Sequence, residues 1–475
     1  MHWARTWDRP PNCARSFRWR KGVDGHVAAG RDRRRITDLR PRVIRGLARM
    51  VQGRPRSAGL IACGASDCAM AVWPRDIFMK NINNALIYFL FYPLVAIAAT
   101  ISPPNTVARY ERYIAVDDAC GWPQITLLPD GTLSCLLWPH PLHGFTEGAA
   151  ECWNSTDGGR HWVKTGVPVP YTPTKNRMNV AAGLAADGSY VAVISGWDMR
   201  MPLGWRPDPL NANSAKNSYK DASTLSPIPA RSRDGGRTWK QFTAIDAQQP
   251  SGQGIVPFGR IAPLNDGTIG VMMYRDEVAF FTSADAGVSW KKRGQLSHDR
   301  TFNETAWLTL ANGDLFAASR SYGRGNGGAH SASDGAIGQH LEAYRSTDGG
   351  LTWKAEGPLT LPMQHPADLT RLPDGRILLS YGVRNDGDWG INVRIGDATA
   401  RFWSAPSRLV DLEGSTDEPT VARPHRDGGY PSTVVLADGT LVTAYYSRGV
   451  PAHQRYHVGV VRWTLPAIEK SPLSP

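Results

Sequence analysis

Arginine, carboxylate and tyrosine side chains recur in this chain where one strand-like segment begins and where the next one ends. The charged and phenolic residues at these places are Arg177, Asp198, Arg260, Arg275, Asp276, Glu304, Arg320, Arg384, Tyr430 and Arg448. Burying a charge without a partner costs free energy. If these positions faced one another without a ligand, apolar residues would cost less free energy there. The set therefore indicates a binding site, and guanidiniums are well suited to holding a carboxylate. The alternative is that some of these arginine–carboxylate pairs only lock structural units together.

A repeated motif predicts the strands and loops that would position these residues. Four segments read Ser-x-Asp-x-Gly-x-x-Trp, at 155–162, 232–239, 283–290 and 346–353. Such a motif predicts a tight loop between two strands: Ser and Asp bond to local backbone groups, Gly supplies a positive φ, and Trp covers the hairpin. Repeats of this kind decide the architecture before any other feature does.

A second repeat gives the number of units. Apolar runs are broken by an Asp-Gly or Asn-Gly turn at six places, 130–131, 187–188, 266–267, 312–313, 374–375 and 438–439. Such turns between strand-like runs are a strong hairpin signal. The first four are followed by the motif above, and 396–403 looks like an eroded fifth copy. We therefore predict an all-β, six-bladed β-propeller with four short strands per blade. Its longest loops, 199–230 and 321–339, should open on the face that carries the charged ring.

These motifs are Asp boxes, and over residues 115–465 the chain resembles the sialidase superfamily. The resemblance is strongest from residue 300 onward and implies roles for particular residues. Asn303-Glu304 and Arg320 match the segment that supplies a catalytic Glu and one carboxylate-binding Arg, and Arg384 matches another Arg of that group. Tyr430, in Gly-Gly-Tyr-Pro-Ser, matches the nucleophile.

The resemblance implies a retaining exo-glycosidase that releases a terminal acidic sugar, most often sialic acid. A sugar with a carboxylate on its anomeric carbon would repel an ionised carboxylate nucleophile, whereas a neutral phenol avoids this repulsion. Glu304 would then remove the proton of Tyr430 as the phenol attacks. The expected partner is a sialylated or other acidic glycan, and no cofactor or metal is expected.

The chain departs from the superfamily pattern in two places. The first blade reads Cys-Gly-Trp122-Pro-Gln where the first carboxylate-binding Arg is expected, so Arg177 or Arg260 would have to replace it from a neighbouring blade. No Asp occupies the acid/base position before the first Asp box. Glu147 or His143 could serve there.

Two other function classes fit the same residues. A glycan-binding propeller could keep the Asp boxes without the chemistry. A polysaccharide lyase could use Tyr with His or Arg for proton abstraction, and would yield an unsaturated product that absorbs ultraviolet light. The incomplete Arg set also leaves room for a uronic or other acidic sugar as the substrate.

The positive charge of the chain is confined to its beginning. The formal net charge is +12, and residues 1–78 hold sixteen Arg and one Lys against six Asp, which is +11 of that total. The remainder is nearly neutral and carries no nucleic-acid motif, which argues against a nucleic-acid partner. We interpret residues 1–78 as a disordered extension or a wrongly assigned start.

The segment after this extension predicts export. Residues 79–99 have a Lys, an apolar run from Ala85 onward and a small-residue end, as in a signal peptide. The protein is then secreted or periplasmic; an uncleaved membrane anchor at 85–101 is the alternative. The propeller should span 106–466, followed by a tail at 467–475. Three cysteines remain in the exported part (Cys120, Cys135 and Cys152), enough for at most one disulfide.

Overall fold

The computed structural model describes residues 110–141, 144, 146–198, 222–298, 301–321, 339–385, 387–412, 428–447 and 456–465. All of them belong to one compact unit, Leu94–Pro475. The predictions made for 1–78, 79–99 and 467–475 lie outside the described residues, as does most of the loops 199–230 and 321–339. Within the ranges described, no helix is long and apolar enough to cross a membrane.

The described chain is built from β-strands alone, which confirms the predicted all-β class. In chain order the strands are β1 Tyr110–Asp117, β2 Gln124–Leu127, β3 Leu133–Leu137, β4 Gly148–Ala149, β5 Glu151–Ser155, β6 Val163–Gly166, β7 Asn176–Arg177, β8 Asn179–Leu184, β9 Tyr190–Ser195, β10 Trp197–Asp198, β11 Ser223–Thr224, β12 Ile228–Ser232, β13 Lys240–Gln241, β14 Val256–Pro263, β15 Ile269–Tyr274, β16 Val278–Ser283, β17 Lys291–Ser297, β18 Phe302–Thr309, β19 Leu315–Ser321, β20 Leu341–Ser346, β21 Lys354–Pro358, β22 Gln364–Arg371, β23 Ile377–Asn385, β24 Asp388–Gly396, β25 Ser407–Asp411, β26 Gly428–Val435, β27 Leu441–Ser447 and β28 His457–Trp463.

These strands form antiparallel groups of four, here called sheets 1 to 6 in chain order. The groups are β2-β3-β5-β6, β8-β9-β12-β13, β14-β15-β16-β17, β18-β19-β20-β21, β22-β23-β24-β25 and β26-β27-β28-β1. Sheet 6 takes its fourth strand, β1, from the beginning of the described chain, where it pairs with β28 from Tyr110↔Trp463 to Asp117↔His457. Two small ladders, β4 with β7 and β10 with β11, lie outside these groups.

Sheets 2 and 3 are joined, which the repeat pattern did not predict. Their first strands, β8 and β14, pair in parallel over Ala181–Gly183 and Gly259–Ile261. A Cβ at Gly183 would lie only 1.8 Å from the carbonyl oxygen of Ile261, so glycine is required for this approach. The result is one eight-stranded sheet. No sheet closes on itself in the described part of the chain, so the six-bladed closure stays a prediction.

The hydrophobic core is divided into six clusters, and each lies between two successive sheets. The cluster between sheets 1 and 2 contains Leu136 and Ile194. That between sheets 3 and 4 centres on Phe280 and Trp307, whose rings lie 4.8 Å apart. The remaining clusters join sheets 2 and 3, 4 and 5, 5 and 6, and finally 6 and 1. Because burial of apolar surface is the main favourable term in folding, these clusters hold the sheets together.

The Asp boxes form the loops that the sequence predicts, each between the third and fourth strands of a sheet. In sheet 2, the Ser232 hydroxyl donates to the Asp234 carboxylate at 2.7 Å and accepts from the Gly236 amide at 2.8 Å. The indole of Trp239 donates to the Gly236 carbonyl at 2.9 Å. The eroded copy in sheet 5 keeps this arrangement through Asp397 and Trp403. The Asp-Gly and Asn-Gly turns join first to second strands, as predicted.

An Asp-box carboxylate should contribute to stability in a pH-dependent way. Partial burial acts to raise the pKa of Asp234, but hydrogen bonds from the Thr238 hydroxyl and amide outweigh it and lower the pKa to about 2. A depressed folded-state pKa gives stability that is present above the unfolded-state value, about 4, and is lost as the pH falls towards 2. We expect Asp234→Asn to lower the free energy of unfolding by about 1 kcal/mol at pH 7.

Urea unfolding from pH 7 to pH 2 measures this difference, which should vanish at the acid end. The control is Asp246→Asn, an exposed aspartate outside any box. A difference that is equal at pH 7 and pH 2 would show that the Asp234 charge contributes nothing.

Candidate functional site

Glu304 reaches the site from an irregularity in the first strand of sheet 4. Pairing between β18 and β19 moves from Phe302↔Ser321 to Thr305↔Ser319, so that two residues, one of them Glu304, stand opposite Arg320. Such a bulge re-aims a side chain and leaves it outside the regular alternation of the strand. It places the Glu304 carboxylate directly beside the guanidinium of Arg320.

Tyr430 occupies the matching position in sheet 6. Pairing between β26 and β27 moves from Gly429↔Tyr446 to Ser432↔Ala444, so Tyr430 and its successor share one opposing residue. Tyr430 has a φ of +52°, which non-glycine residues seldom adopt, and Gly429 before it has +99°. A strained backbone of this kind persists only where its surroundings hold it, and it is common at functional sites.

The two bulges bring the phenol and the carboxylate together. The Tyr430 hydroxyl donates to Glu304 Oε1 at 2.6 Å, and Arg320 Nη1 donates to Glu304 Oε2, also at 2.6 Å. Arg320 Nη1 also lies 3.4 Å from the phenol oxygen, and its Nη2 donates to Gln339 at 2.6 Å. The three side chains are 6–7% exposed, so the carboxylate is buried and both of its oxygens are paired.

The phenol of Tyr430 is protonated at neutral pH. Burial is the largest influence that raises its pKa, and the negative charge of Glu304 raises it further. The guanidiniums of Arg320 and Arg384 act in the opposite direction and lower it, but the net effect leaves the pKa well above that of an ordinary tyrosine. Any reaction at this oxygen therefore has to transfer its proton, and Glu304 is the acceptor already in contact.

Arg384 covers the other side of the phenol. Its guanidinium carbon lies 5.4 Å from the centroid of the Tyr430 ring, and its Nη2 donates to the Gly428 carbonyl at 3.3 Å. The buried Nε has no hydrogen-bond partner within the described ranges. Arg320 and Arg384 thus present two guanidiniums beside one phenol, which suits an anionic group.

A cavity of about 150 Å³ adjoins the phenol and the carboxylate. Its aromatic lining comes from Trp122, Trp197, Phe258 and Tyr274. The rings of Trp122 and Phe258 meet that of Tyr430 edge-on, with centroids 6.0 and 6.3 Å apart. Aromatic faces of this type are suited to packing against the apolar patches of a ligand. At the place in sheet 1 where the superfamily pattern expects an arginine, the wall is therefore aromatic.

Gln124 is a further lining residue that the sequence did not single out. Its side chain is 5% exposed, and in the described structure its Nε2 has no hydrogen-bond partner. A buried amide without a partner is costly, so a ligand oxygen in this cavity would relieve that cost. No local motif marks Gln124, because a glutamine one residue after a proline is common in loops and strands alike.

The other predicted site residues are not brought to the phenol. Arg177 donates to the Ser226 carbonyl at 3.2 Å, and burial lowers its pKa. Glu147 accepts from the Thr174 amide at 2.8 Å. Neither of them hydrogen-bonds to Tyr430 or Glu304. His143 and Arg448 lie outside the described residues.

Arg260 has a structural partner instead of a free guanidinium. Its Nη2 lies 3.3 Å from both carboxylate oxygens of Asp368 and donates to the Thr433 carbonyl at 2.8 Å. The pair joins sheets 3, 5 and 6. The interpretation that some of these arginines lock units together therefore describes Arg260, and it is not an available substitute for the missing arginine of sheet 1.

The cysteines and possible metal ligands add no second site. Cys120, Cys135 and Cys152 are buried and form no disulfide with one another. Among the residues that the structure describes, no three His, Cys, Asp or Glu side chains are grouped so that they could hold a metal ion.

Comparisons of the sequence and the structure with known proteins support the fold described above. A family model for a BNR repeat-like domain matches residues 209–443. A protein of unknown function from Dyadobacter fermentans has a TM-score of 0.56 at 22% identity, covering 75% of this chain and 98% of its own. The NanB sialidase of Streptococcus pneumoniae has a TM-score of 0.52 at 11% identity, covering 74% of this chain and 69% of its own. No curated protein sequence matches the chain.

The fold and the repeats define the class of protein. At such identities the structural likeness concerns the fold, which is that of sialidases. Together with the family model, it confirms the resemblance to the sialidase/BNR-repeat superfamily drawn from the Asp boxes.

The contact between Tyr430 and Glu304 makes a prediction about ionisation. Replacing Glu304 with Gln removes a negative charge that raises the pKa of the phenol, while Arg320 and Arg384 stay in place. Tyr430 should then ionise at a lower pH than in the wild type. The measurement is the ¹³Cζ shift of labelled tyrosine as the pH rises to about 11, a range in which Tyr430 of the wild type stays protonated and that of the variant should begin to ionise, with Tyr430→Phe assigning the signal.

The matched control is Glu151→Gln, which removes a carboxylate bonded to Trp153 and Lys164 instead. It should leave the titration of Tyr430 unchanged. A Tyr430 signal in Glu304→Gln that stays at the wild-type position over the whole pH range would contradict the coupling.

Proposed function

We propose that this protein is a sialidase-like exo-glycosidase that releases a terminal acidic sugar with retention of configuration. The observation that carries the proposal is the buried 2.6 Å hydrogen bond from the Tyr430 phenol to the Glu304 carboxylate, beside two guanidiniums. A phenol held against a base is an activated nucleophile without a charge of its own. This property suits a sugar whose anomeric carbon already bears a carboxylate, and sialic acid is the first candidate.

The first step forms a bond between the Tyr430 oxygen and the anomeric carbon while the glycosidic bond breaks. The phenol proton passes to Glu304 Oε1, with which it is already in contact. The departing oxygen takes a proton from an acid, for which Glu147 and His143 remain the candidates. Arg320 and Arg384 bind the sugar carboxylate. In the second step water attacks the same carbon and gives one proton to the base that this acid left behind. The bond to the Tyr430 oxygen breaks, and Glu304 returns its proton to the phenolate.

The architecture that we propose for this chemistry is a closed six-bladed propeller, with sheets 1 to 6 as its blades. The support is the cycle of hydrophobic clusters, which includes one between sheets 6 and 1. The first strands of sheets 1 and 6, β2 and β26, are also in contact. A closed ring of blades brings the first strands around one axis, where Glu304 and Tyr430 meet.

We also propose that the protein acts outside the cytoplasm, as the apolar run at 85–101 suggests. N-terminal sequencing of native material tests this. A first residue close to 100 supports a cleaved signal peptide, a start near 79 in the membrane fraction supports an anchor, and a start upstream of 79 would argue against both.

Tyr430→Phe should reduce hydrolysis of a fluorogenic α-sialoside by at least about a thousandfold, because phenylalanine lacks the oxygen that forms the covalent intermediate. The control is Tyr171→Phe, at an exposed tyrosine. Equal turnover in wild type and Tyr430→Phe would refute this role. Binding without turnover that Tyr430→Phe leaves unchanged would favour a glycan-binding protein. A product absorbing in the ultraviolet would favour a lyase.

Arg384→Gln should lower kcat/KM for an acidic glycoside by about ten- to a hundredfold, the worth of a charge-assisted hydrogen bond. Michaelis kinetics on acidic and neutral glycosides of the same leaving group measure this. Arg376→Gln, which removes a half-buried arginine paired with Asp374, is the control and should have no effect. An equal loss on both glycosides would mean that Arg384 does not recognise the carboxylate.

A further inference from the structure

An ion pair with a buried carboxylate and a half-buried guanidinium lies close to the nucleophile and is not used in the reaction proposed above. Asp368 of β22 is 5% exposed and lies on the wall of the cavity that adjoins Tyr430. Its carboxylate faces Arg260 of β14, with Nη2 at 3.3 Å from each oxygen. A buried charge pair often stabilises a fold no better than apolar residues would. Its presence beside the site therefore calls for another explanation.

Both members of the pair bind the same residue of a third sheet. Asp368 Oδ2 accepts from the backbone amide of Thr433 at 2.7 Å, and Arg260 Nη2 donates to the Thr433 carbonyl at 2.8 Å. The Thr370 hydroxyl reaches the same two groups, at 3.2 Å from Asp368 Oδ2 and 3.0 Å from the Thr433 carbonyl. The amide and the carbonyl of Thr433 are thus both fixed from sheets 3 and 5.

Thr433 lies three residues after Tyr430 on β26. The bulge that turns Tyr430 out of the strand ends at Ser432, immediately before Thr433. The backbone at Tyr430 is strained, with a φ of +52°, so some neighbouring contact has to hold it in place. The hydrogen bonds to Thr433 act at the end of the bulge, where a small shift of the strand would move the phenol away from Glu304.

We propose that Arg260 and Asp368 are positioning residues for the nucleophile. They fix β26 at Thr433 and thereby hold the Tyr430 hydroxyl at hydrogen-bond distance from Glu304. Neither residue touches the phenol or the carboxylate. Their effect on the reaction passes through the backbone of Thr433, and for its kinetic consequence the inference rests on the proposed glycosidase function.

The test replaces Asp368 with Asn, which keeps the size of the side chain and removes the charge that pairs with Arg260. We expect kcat to fall by about ten- to a hundredfold with KM within about twofold, since displaced geometry slows the reaction more than it weakens substrate binding. Thr370→Val is the milder second variant. It removes only the hydroxyl bonds to Asp368 and Thr433, should fold if Asp368→Asn does not, and should lower kcat by a few-fold.

The control is another arginine–carboxylate pair, Arg345 with Glu356, in which the arginine is buried and which joins β20 to β21 with Nε to Oε1 at 2.7 Å. Glu356→Gln removes the charge that pairs with this arginine and should leave kcat unchanged. A loss of kcat in the control as large as in Asp368→Asn would show that general destabilisation causes the effect, and it would overturn the proposal.

A second readout does not depend on turnover. The ¹³Cζ resonance of Tyr430 reports the hydrogen bond to Glu304, and it should shift in Asp368→Asn and Thr370→Val but not in Glu356→Gln. If the wild type hydrolyses no acidic glycoside, the proposed function fails while this resonance still tests the positioning role. An unchanged resonance in both Asp368→Asn and Thr370→Val would overturn the positioning role, whatever the activity of the wild type.

Discussion

The rest of the site depends on the burial of one carboxylate. Glu304 is 6% exposed, and an ion removed from water to this degree needs a partner for each of its oxygens. One partner, Arg320, comes from the next strand of the same sheet, and the other, the Tyr430 phenol, comes from a different sheet. Because Tyr430 and Glu304 are 126 residues apart, this compensation requires sheets 4 and 6 to be held in a fixed relation.

The fixed relation between the sheets depends on contacts of two kinds, those within the Asp boxes and those between neighbouring sheets. The Asp boxes are local structures whose hydrogen bonds span at most four or five residues, so each can form wherever its motif occurs. They terminate the sheets in a regular way, and some of them also accept a hydrogen bond from the preceding sheet. Asn154 Nδ2 of sheet 1 donates to the Gly235 carbonyl at 2.7 Å, and Arg231 Nη1 of sheet 2 donates to the Ala286 carbonyl at 3.4 Å. The other contacts between sheets are the six hydrophobic clusters and polar contacts such as the one between Asp368 and Thr433.

The cavity wall departs from the pattern that the sequence resembles. Where that pattern has an arginine, Trp122 and Gln124 of the first sheet line the cavity. An aromatic ring and a neutral amide cannot replace a guanidinium in binding a carboxylate, because they carry no charge and lack its paired donors. In the proposed reaction the carboxylate of the substrate would therefore be bound by Arg320 and Arg384, and its neutral substituents would face this wall.

The sequence by itself determined the local structures and the ends of the strands at which functional side chains could lie. Asp-Gly turns and Asp boxes act within a few residues, so their motifs suffice to predict them. The spacing of Glu304, Asn312-Gly313 and Arg320 was enough to place that carboxylate and that arginine at the same end of one hairpin. Only the tertiary structure decided which of the other arginines meet the phenol. It paired Arg260 with Asp368 and Thr433, joined β1 to β28, and placed the uncharged Gln124 on the cavity wall. These contacts join residues 108 to 353 positions apart. Which residues meet depends on how the sheets pack, and a local sequence pattern contains no information about that packing.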